Sequence, residues 1–229
     1  FISSFSFSSI DTVAEPRYSL ALTEVKDQIV SGACWAFAAM ATLEVCLAKK
    51  NIPVKKLSEK HLLNWANQEI TGWHIPLSSG LPQNYYADMG YFVSGKGPVC
   101  STQVPYNILN TKYDKSKGCT DPLYSIRGIK HVNTDISSIK DAVATYGAVA
   151  SSYVLSANKG HAVSIIGWND NNQSWLIKDS GSTPCGYHYL PYSSKFIYCY
   201  TITDIEPYSN NEKIYQHDYY GYTTELSTQ

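Results

Sequence analysis

Gln28-Ile-Val-Ser-Gly-Ala-Cys34-Trp-Ala-Phe37 decides how the rest of the chain is read. A turn of small residues, Ser31, Gly32 and Ala33, delivers Cys34 to the first turn of an apolar helix. The N-terminus of a helix carries partial positive charge and favours a thiolate, the nucleophilic form of cysteine. Gln28 precedes it by six residues, where a returning side-chain amide can donate to an oxyanion. A nucleophile of this kind needs a base within hydrogen-bond reach and a third group to orient that base.

The helix that starts at Cys34 is expected to run to Lys49. Cys34, Phe37, Ala38, Ala41, Val45 and Ala48 form one stripe at helical spacing, and the opposite side is apolar too. A helix apolar nearly all round belongs in the middle of a protein. Ser58 is placed to cap a second helix over Glu59 to Asn67, and Asn84 to Val93 reads as a third. After Pro98 the character changes to short strand-like runs at 126–132, 148–154, 161–168, 174–179, 187–190 and 196–202, interrupted by a helix over Ser138 to Tyr146. Helices followed by strands imply an α+β chain of two lobes.

The 229 residues suffice for a sizeable core, and 44% hydrophobic with 16% charged content is that of a globular chain. A net charge of −1 and the lack of a basic run argue against nucleic-acid binding. The richest apolar run, Ala33 to Ala41, falls short of the roughly eighteen residues of a membrane span. The chain opens at Phe1 without a signal-peptide pattern, so it reads as a mature fragment.

Six histidines compete for the role of base. His61 and His217 lie on a helix and in the tail, His74 in a loop, and His131 and His188 in strand-like segments without special context. His161 follows Gly160 and opens Ala-Val-Ser-Ile-Ile-Gly-Trp, a buried strand whose first residue faces a cleft. The following strand, Trp175-Leu-Ile-Lys-Asp179-Ser-Gly181, offers Asp179 as the orienting group.

Gln28 and Cys34 at this spacing, with Trp35-Ala-Phe37 in order, closely resemble the nucleophile segment of papain-like cysteine proteases. Gly160-His-Ala-Val-Ser-Ile-Ile-Gly-Trp168 is similar to the histidine strand of the same family. Together these motifs cover residues 16 to 200. The resemblance implies a papain-like two-lobe fold, with a mainly helical lobe at 16–100 around a long central helix and a mainly antiparallel β lobe at 101–205. Residues 1–15 are an extension or pro-segment remnant, 206–229 a tail, and the active site lies in the cleft between the lobes. It implies a thiol peptidase in which Cys34 attacks, His161 moves the proton, Asp179 orients His161 and Gln28 stabilises the oxyanion. It also implies peptide or protein substrates, a pro-segment or inhibitor as occupants of the cleft, and no metal or organic cofactor.

The chain departs from the family pattern in two places. Asp179 stands where the family has asparagine, and Gly181 where it has the tryptophan that shields the histidine's hydrogen bond from water. An aspartate accepts from an imidazole N–H as an amide carbonyl does, and its charge favours the imidazolium. The departures support a rival reading, a protease-like module that binds peptides without turnover. Intact Gln28, Cys34 and His161 speak for the enzyme.

Ser78-Ser-Gly80-Leu81-Pro82 aligns with the family segment that pairs with a peptide as an extra strand. Gly80 offers its backbone, and Leu81, Ala162 and Val149 are expected to line an apolar pocket. With Cys34 as nucleophile, five cysteines remain. Cys46, twelve residues along the same helix, is expected to be a buried free thiol. Cys100–Cys119 and Cys185–Cys199 each close a turn-rich loop and are expected to pair, at ~3 kcal/mol apiece. Bridges favour a secreted or cell-surface protein. Cys185-Gly-Tyr-His188 is a single short Cys-x-x-His without a second pair, which does not make a zinc site. The tail from Ile214 is similar to the segment that follows the protease domain in microbial surface members of the family.

Overall fold

A computed structural model describes residues 23–29, 32–68, 82–93, 97–106, 122–156, 159–181, 185–209, 215–217 and 223–225. The expected edge strand at the Ser-rich start, the Ser78–Leu81 segment and Cys119 lie outside them. Three helices come first, α1 (Cys34–Lys49), α2 (Glu59–Gln68) and α3 (Pro82–Val93). The strands are β1 (Tyr124–Val132), β2 (Val149–Ser156), β3 (Lys159–Asn169), β4 (Ser174–Asp179), β5 (Gly186–Pro191) and β6 (Phe196–Pro207), with α4 (Ile136–Tyr146) between β1 and β2. Two short strands, β7 (Tyr215–His217) and β8 (Thr223–Glu225), pair with each other in the tail.

Helix α1 is the axis of the molecule. Every residue from Cys34 to Leu47 is buried, as its all-round apolar sequence requires. The six-stranded sheet has the order β1-β6-β2-β3-β4-β5, antiparallel throughout. One sheet face covers α1, and Ala150, Ala162 and Ile166 join Phe37, Met40 and Leu43 in a common core with residues of α2 and α3. The opposite face carries α4, where Val149, Val163, Ile165, Trp175 and Ile177 pack against Ile139 and Val143. This is the α+β papain-like arrangement.

Helix boundaries follow local chemistry. Ser58 caps α2 through its hydroxyl, which accepts from the His61 N–H at 3.0 Å. Asp135 caps α4 two residues earlier than the apolar pattern predicts, accepting from Ser138 N–H at 2.9 Å. Helix α3 likewise starts at Pro82 rather than Asn84, since proline suits a first helical position. No helix among the described residues is long and apolar enough to cross a membrane.

Buried charges tie the two halves together. Lys26, just before Gln28, donates to Glu44 of α1 at 2.9 Å, to Glu59 of α2 at 2.6 Å and to the Leu57 carbonyl at 2.7 Å. Lys178 of β4 reaches the other oxygen of Glu44 at 3.2 Å. Two cations and two carboxylates balance, as buried charges must. The network therefore fixes the segment carrying Gln28 against the strand that ends in Asp179.

No disulfide forms among the described residues, where two were expected in the chain. Cys185, just before β5, and Cys199, in β6, are free thiols held apart because β2, β3 and β4 lie between β6 and β5. Four strand spacings amount to roughly 19 Å, far beyond the ~7 Å that a bridge tolerates between Cα atoms. Cys199 is instead fully buried against the Ser151 hydroxyl at 3.1 Å. Cys100 is also a free thiol and accepts from the Thr102 hydroxyl at 3.2 Å. Cys46 is free and fully buried, and burial raises its pKa.

Candidate active site

Three elements converge at the upper edge of the sheet. Helix α1 begins at Cys34, itself 6% exposed and directed by an Ala33 cap that lacks a side-chain hydrogen bond. No capping oxygen therefore sits at this helix start, and its partial positive charge faces the thiol. β3 contributes His161 from the residue opposite Tyr153 in β2, whose ring meets the imidazole edge-on at 5.9 Å. β4 ends in Asp179, which is 2% exposed.

Asp179 Oδ1 accepts from His161 Nε2 at 2.6 Å and from the Gly181 backbone N–H at 2.8 Å. With Nε2 engaged, the other ring nitrogen is left to serve Cys34, which acts on the charge of the imidazole. Burial by itself lowers the pKa of His161. The hydrogen bonds to Asp179 and Cys34 and their negative charges outweigh it, and the imidazole is raised to about 9. The site is therefore arranged to hold a proton on His161.

Gln28 is clamped to the same strand end. Its N–H donates to the Ser180 carbonyl at 2.8 Å, its Oε1 accepts from the Ser180 hydroxyl at 3.0 Å, and its carbonyl accepts from Tyr106 at 3.1 Å. Asp27 then accepts from the Ile29 N–H at 2.6 Å, where the chain turns with a φ of 60°. With Oε1 on the Ser180 hydroxyl, the NH₂ end of the Gln28 amide lies toward Gly181.

Gly181 belongs to the site as well. A Cβ there would stand 2.8 Å from Gln28 Cδ and 2.9 Å from His161 Cε1. The side chains of Gln28 and His161 close directly over this glycine. The sequence leads one to expect an exposed histidine bond where the tryptophan is missing. In the structure Asp179 is 2% and His161 12% exposed, so the bond is covered all the same.

Two of the expected pocket residues are described. Ala162 points to the α1 side of the sheet and is buried in the main core. Val149 does not reach the cleft. It pairs with Ile165, is wholly buried and packs beside Ile139 and Trp175 on the α4 face. The residue opposite Ala162 in β2 is Ser152. Gly80 and Leu81 lie outside the described residues. Ser180, Gly181 and His188 were not singled out for a role from sequence, although Ser180 adjoins the orienting residue and a hydroxyl there is the one available signal.

Residues 8–195 match the model of the papain family cysteine proteases. The chain belongs to that family. Cathepsin S of Mus musculus is 27% identical over 201 residues, covering 77% of this chain and 56% of the relative. The chain spans about half the length of the relatives it matches. Among solved structures, the cysteine protease and lectin-like domains of Cwp84, a surface layer associated protein of Clostridium difficile, superpose with a TM-score of 0.79 at 25% identity, covering 91% of this chain and 55% of that one. Bromelain from Ananas comosus in complex with the E64 inhibitor has a TM-score of 0.58 at 24% identity, over 82% of this chain and 94% of bromelain, and shows the shared fold. The Gln28, Cys34, His161 and Asp179 cluster thus sits inside the matched region.

Proposed function

We propose that this member of the papain family hydrolyses peptide bonds through a Cys34–His161 pair oriented by Asp179. The observation that carries the reading is the 2.6 Å bond from His161 Nε2 to a buried aspartate, with Cys34 near enough to act on the charge of the same ring. The Cys34 thiolate attacks the scissile carbonyl, and the Gln28 amide and the Cys34 backbone N–H receive the oxyanion. His161 gives its proton to the leaving amine, which departs and leaves a thioester on Cys34. His161, now neutral, takes a proton from water, whose oxygen attacks the thioester. Collapse of that second intermediate releases the acid and returns the proton to the pair.

Substrates are peptides or proteins in extended form, paired to the backbone of the Gly80 segment with little demand on sequence. A pro-segment or inhibitor would occupy the same cleft. Secretion or display at a cell surface is part of the proposal. Its support is the likeness to Cwp84, since the free thiols remove the argument from disulfides.

An epoxide or vinyl-sulfone electrophile should add one equivalent at Cys34 in the folded, reduced protein, read by intact mass and peptide mapping. His161→Ala should abolish the addition. Folded protein that is not labelled would leave a cleft that binds peptides without turnover and would overturn the proposal.

A further inference from the structure

His188 is a titratable group that the mechanism above does not use. In β5 it pairs with Ile177, two residues before Asp179, which puts it on the sheet face that also carries Asp179 and His161. Its Nε2 stands 3.7 Å from Asp179 Oδ2, while Oδ1 is taken by His161 and Gly181. Its Nδ1 is buried without a hydrogen-bond partner.

Two physical arguments give this placement meaning. The Asp179 side chain is 2% exposed, and a carboxylate so enclosed is stabilised by a donor near each of its oxygens. Among the described residues, His188 is the side chain that meets Oδ2. Conversely, a histidine serving only as packing has no reason to be there. Its orphaned Nδ1 carries a desolvation cost that a phenylalanine or isoleucine would avoid.

We propose that His188 is a positioning residue, holding the second oxygen of Asp179 so that the first stays on His161. The inference rests on the Cys34–His161 reading. At 3.7 Å the contact is electrostatic rather than a hydrogen bond, and a half-buried imidazole, 31% exposed, has room to close it. Where other members of the family cover the orienting bond with tryptophan, this chain braces it from β5.

The test reads the reactivity of Cys34 rather than peptide turnover, so it separates from the test of function. Alkylation of Cys34 by iodoacetamide is timed by peptide mapping in the parent, His188→Phe and His188→Gln, with folding checked by thermal melting. Phenylalanine keeps the bulk and loses the donor, and glutamine restores a donor near the position of Nε2. His188→Phe should slow alkylation about tenfold and His188→Gln should stay within about twofold of the parent. In an Asp179→Ala background, His188→Phe should change the rate less than about twofold, since the group it braces is gone. Equal rates for parent and His188→Phe would overturn the proposal. Equal slowing by both variants, or the same slowing without Asp179, would overturn it too. Missing epoxide labelling with these ratios intact would sink the peptidase reading and leave this one standing.

Discussion

The Ser180 hydroxyl donates to Oε1 of Gln28 at 3.0 Å, and the Gln28 N–H returns to the Ser180 carbonyl at 2.8 Å. The pair joins the segment before α1 to the end of β4, so Gln28, the proposed oxyanion donor, is held by the residue next to Asp179, the proposed orienting group. An oxyanion donor works by being held where charge develops, before it develops.

Ser180→Ala should therefore lower kcat about tenfold with KM little changed, a fraction of what loss of an entire oxyanion donor costs. In a Gln28→Ala background the same substitution should have almost no effect. Steady-state kinetics on a peptide substrate check both. A rise in KM at constant kcat would show that Ser180 acts on substrate binding instead.

Gly181 is a position where this chain cannot take the family's residue without rearrangement. A Cβ meets Gln28 Cδ at 2.8 Å and His161 Cε1 at 2.9 Å, so even alanine pushes on both partners. Gly181→Ala should cost about 1–3 kcal/mol of packing and lower kcat/KM by tenfold or more, while Gly181→Trp should lose activity altogether. Thermal melting and kinetics measured together separate the two effects. Gain of activity in Gly181→Trp would show that the site accepts the tryptophan after all.

Much of this was legible in the sequence because it is local. The all-round apolar stretch from Cys34 to Leu47 announces a central helix, and five of the six sheet strands lie within two residues of their alternating or apolar runs at both ends. The structure also brings His161 onto Asp179 and sets Gln28 beside the end of the same strand. What failed depends on which strands are neighbours. Cys185 and Cys199 are fourteen residues apart in sequence, yet three strands separate them in the sheet. Val149 was assigned to the cleft, but it lies four residues from Tyr153, the partner of His161, on the same sheet face beneath α4, a placement set by the β2–β3 register. His188 was passed over for the same reason, since its closeness to Asp179 comes from the β4–β5 register.

The imidazole of His161, raised to about 9, sets an alkaline limit. Below that pH the ring holds the proton that the leaving amine needs, and above it the proton is lost. kcat/KM should accordingly fall as pH rises through about 9. Asp179→Ala removes a hydrogen bond and a charge that raise this pKa and leaves burial, which lowers it. The limb should move to lower pH. A pH–rate profile of both proteins is the measurement, and an unmoved limb in Asp179→Ala would assign it to another group.

Asp88 of α3 gives a prediction about stability. It is 3% exposed in the core, its Oδ2 accepts from the Tyr200 hydroxyl at 3.0 Å, and its Oδ1 has no hydrogen-bond partner. Burial pushes its pKa well up, the Tyr200 hydrogen bond opposes that, and negative charge on Cys34 adds to it. An acid whose folded pKa exceeds its unfolded value of about 3.9 makes folding take up a proton. Stability then declines as pH rises above the unfolded value, by up to about 1.4 kcal/mol per pH unit, and levels off above the folded value. Asp88→Asn keeps an acceptor for Tyr200 and removes the ionisation. Its unfolding free energy in urea should match the parent near pH 4 and exceed it increasingly toward pH 8, whereas parallel curves would mean that Asp88 is satisfied as a carboxylate.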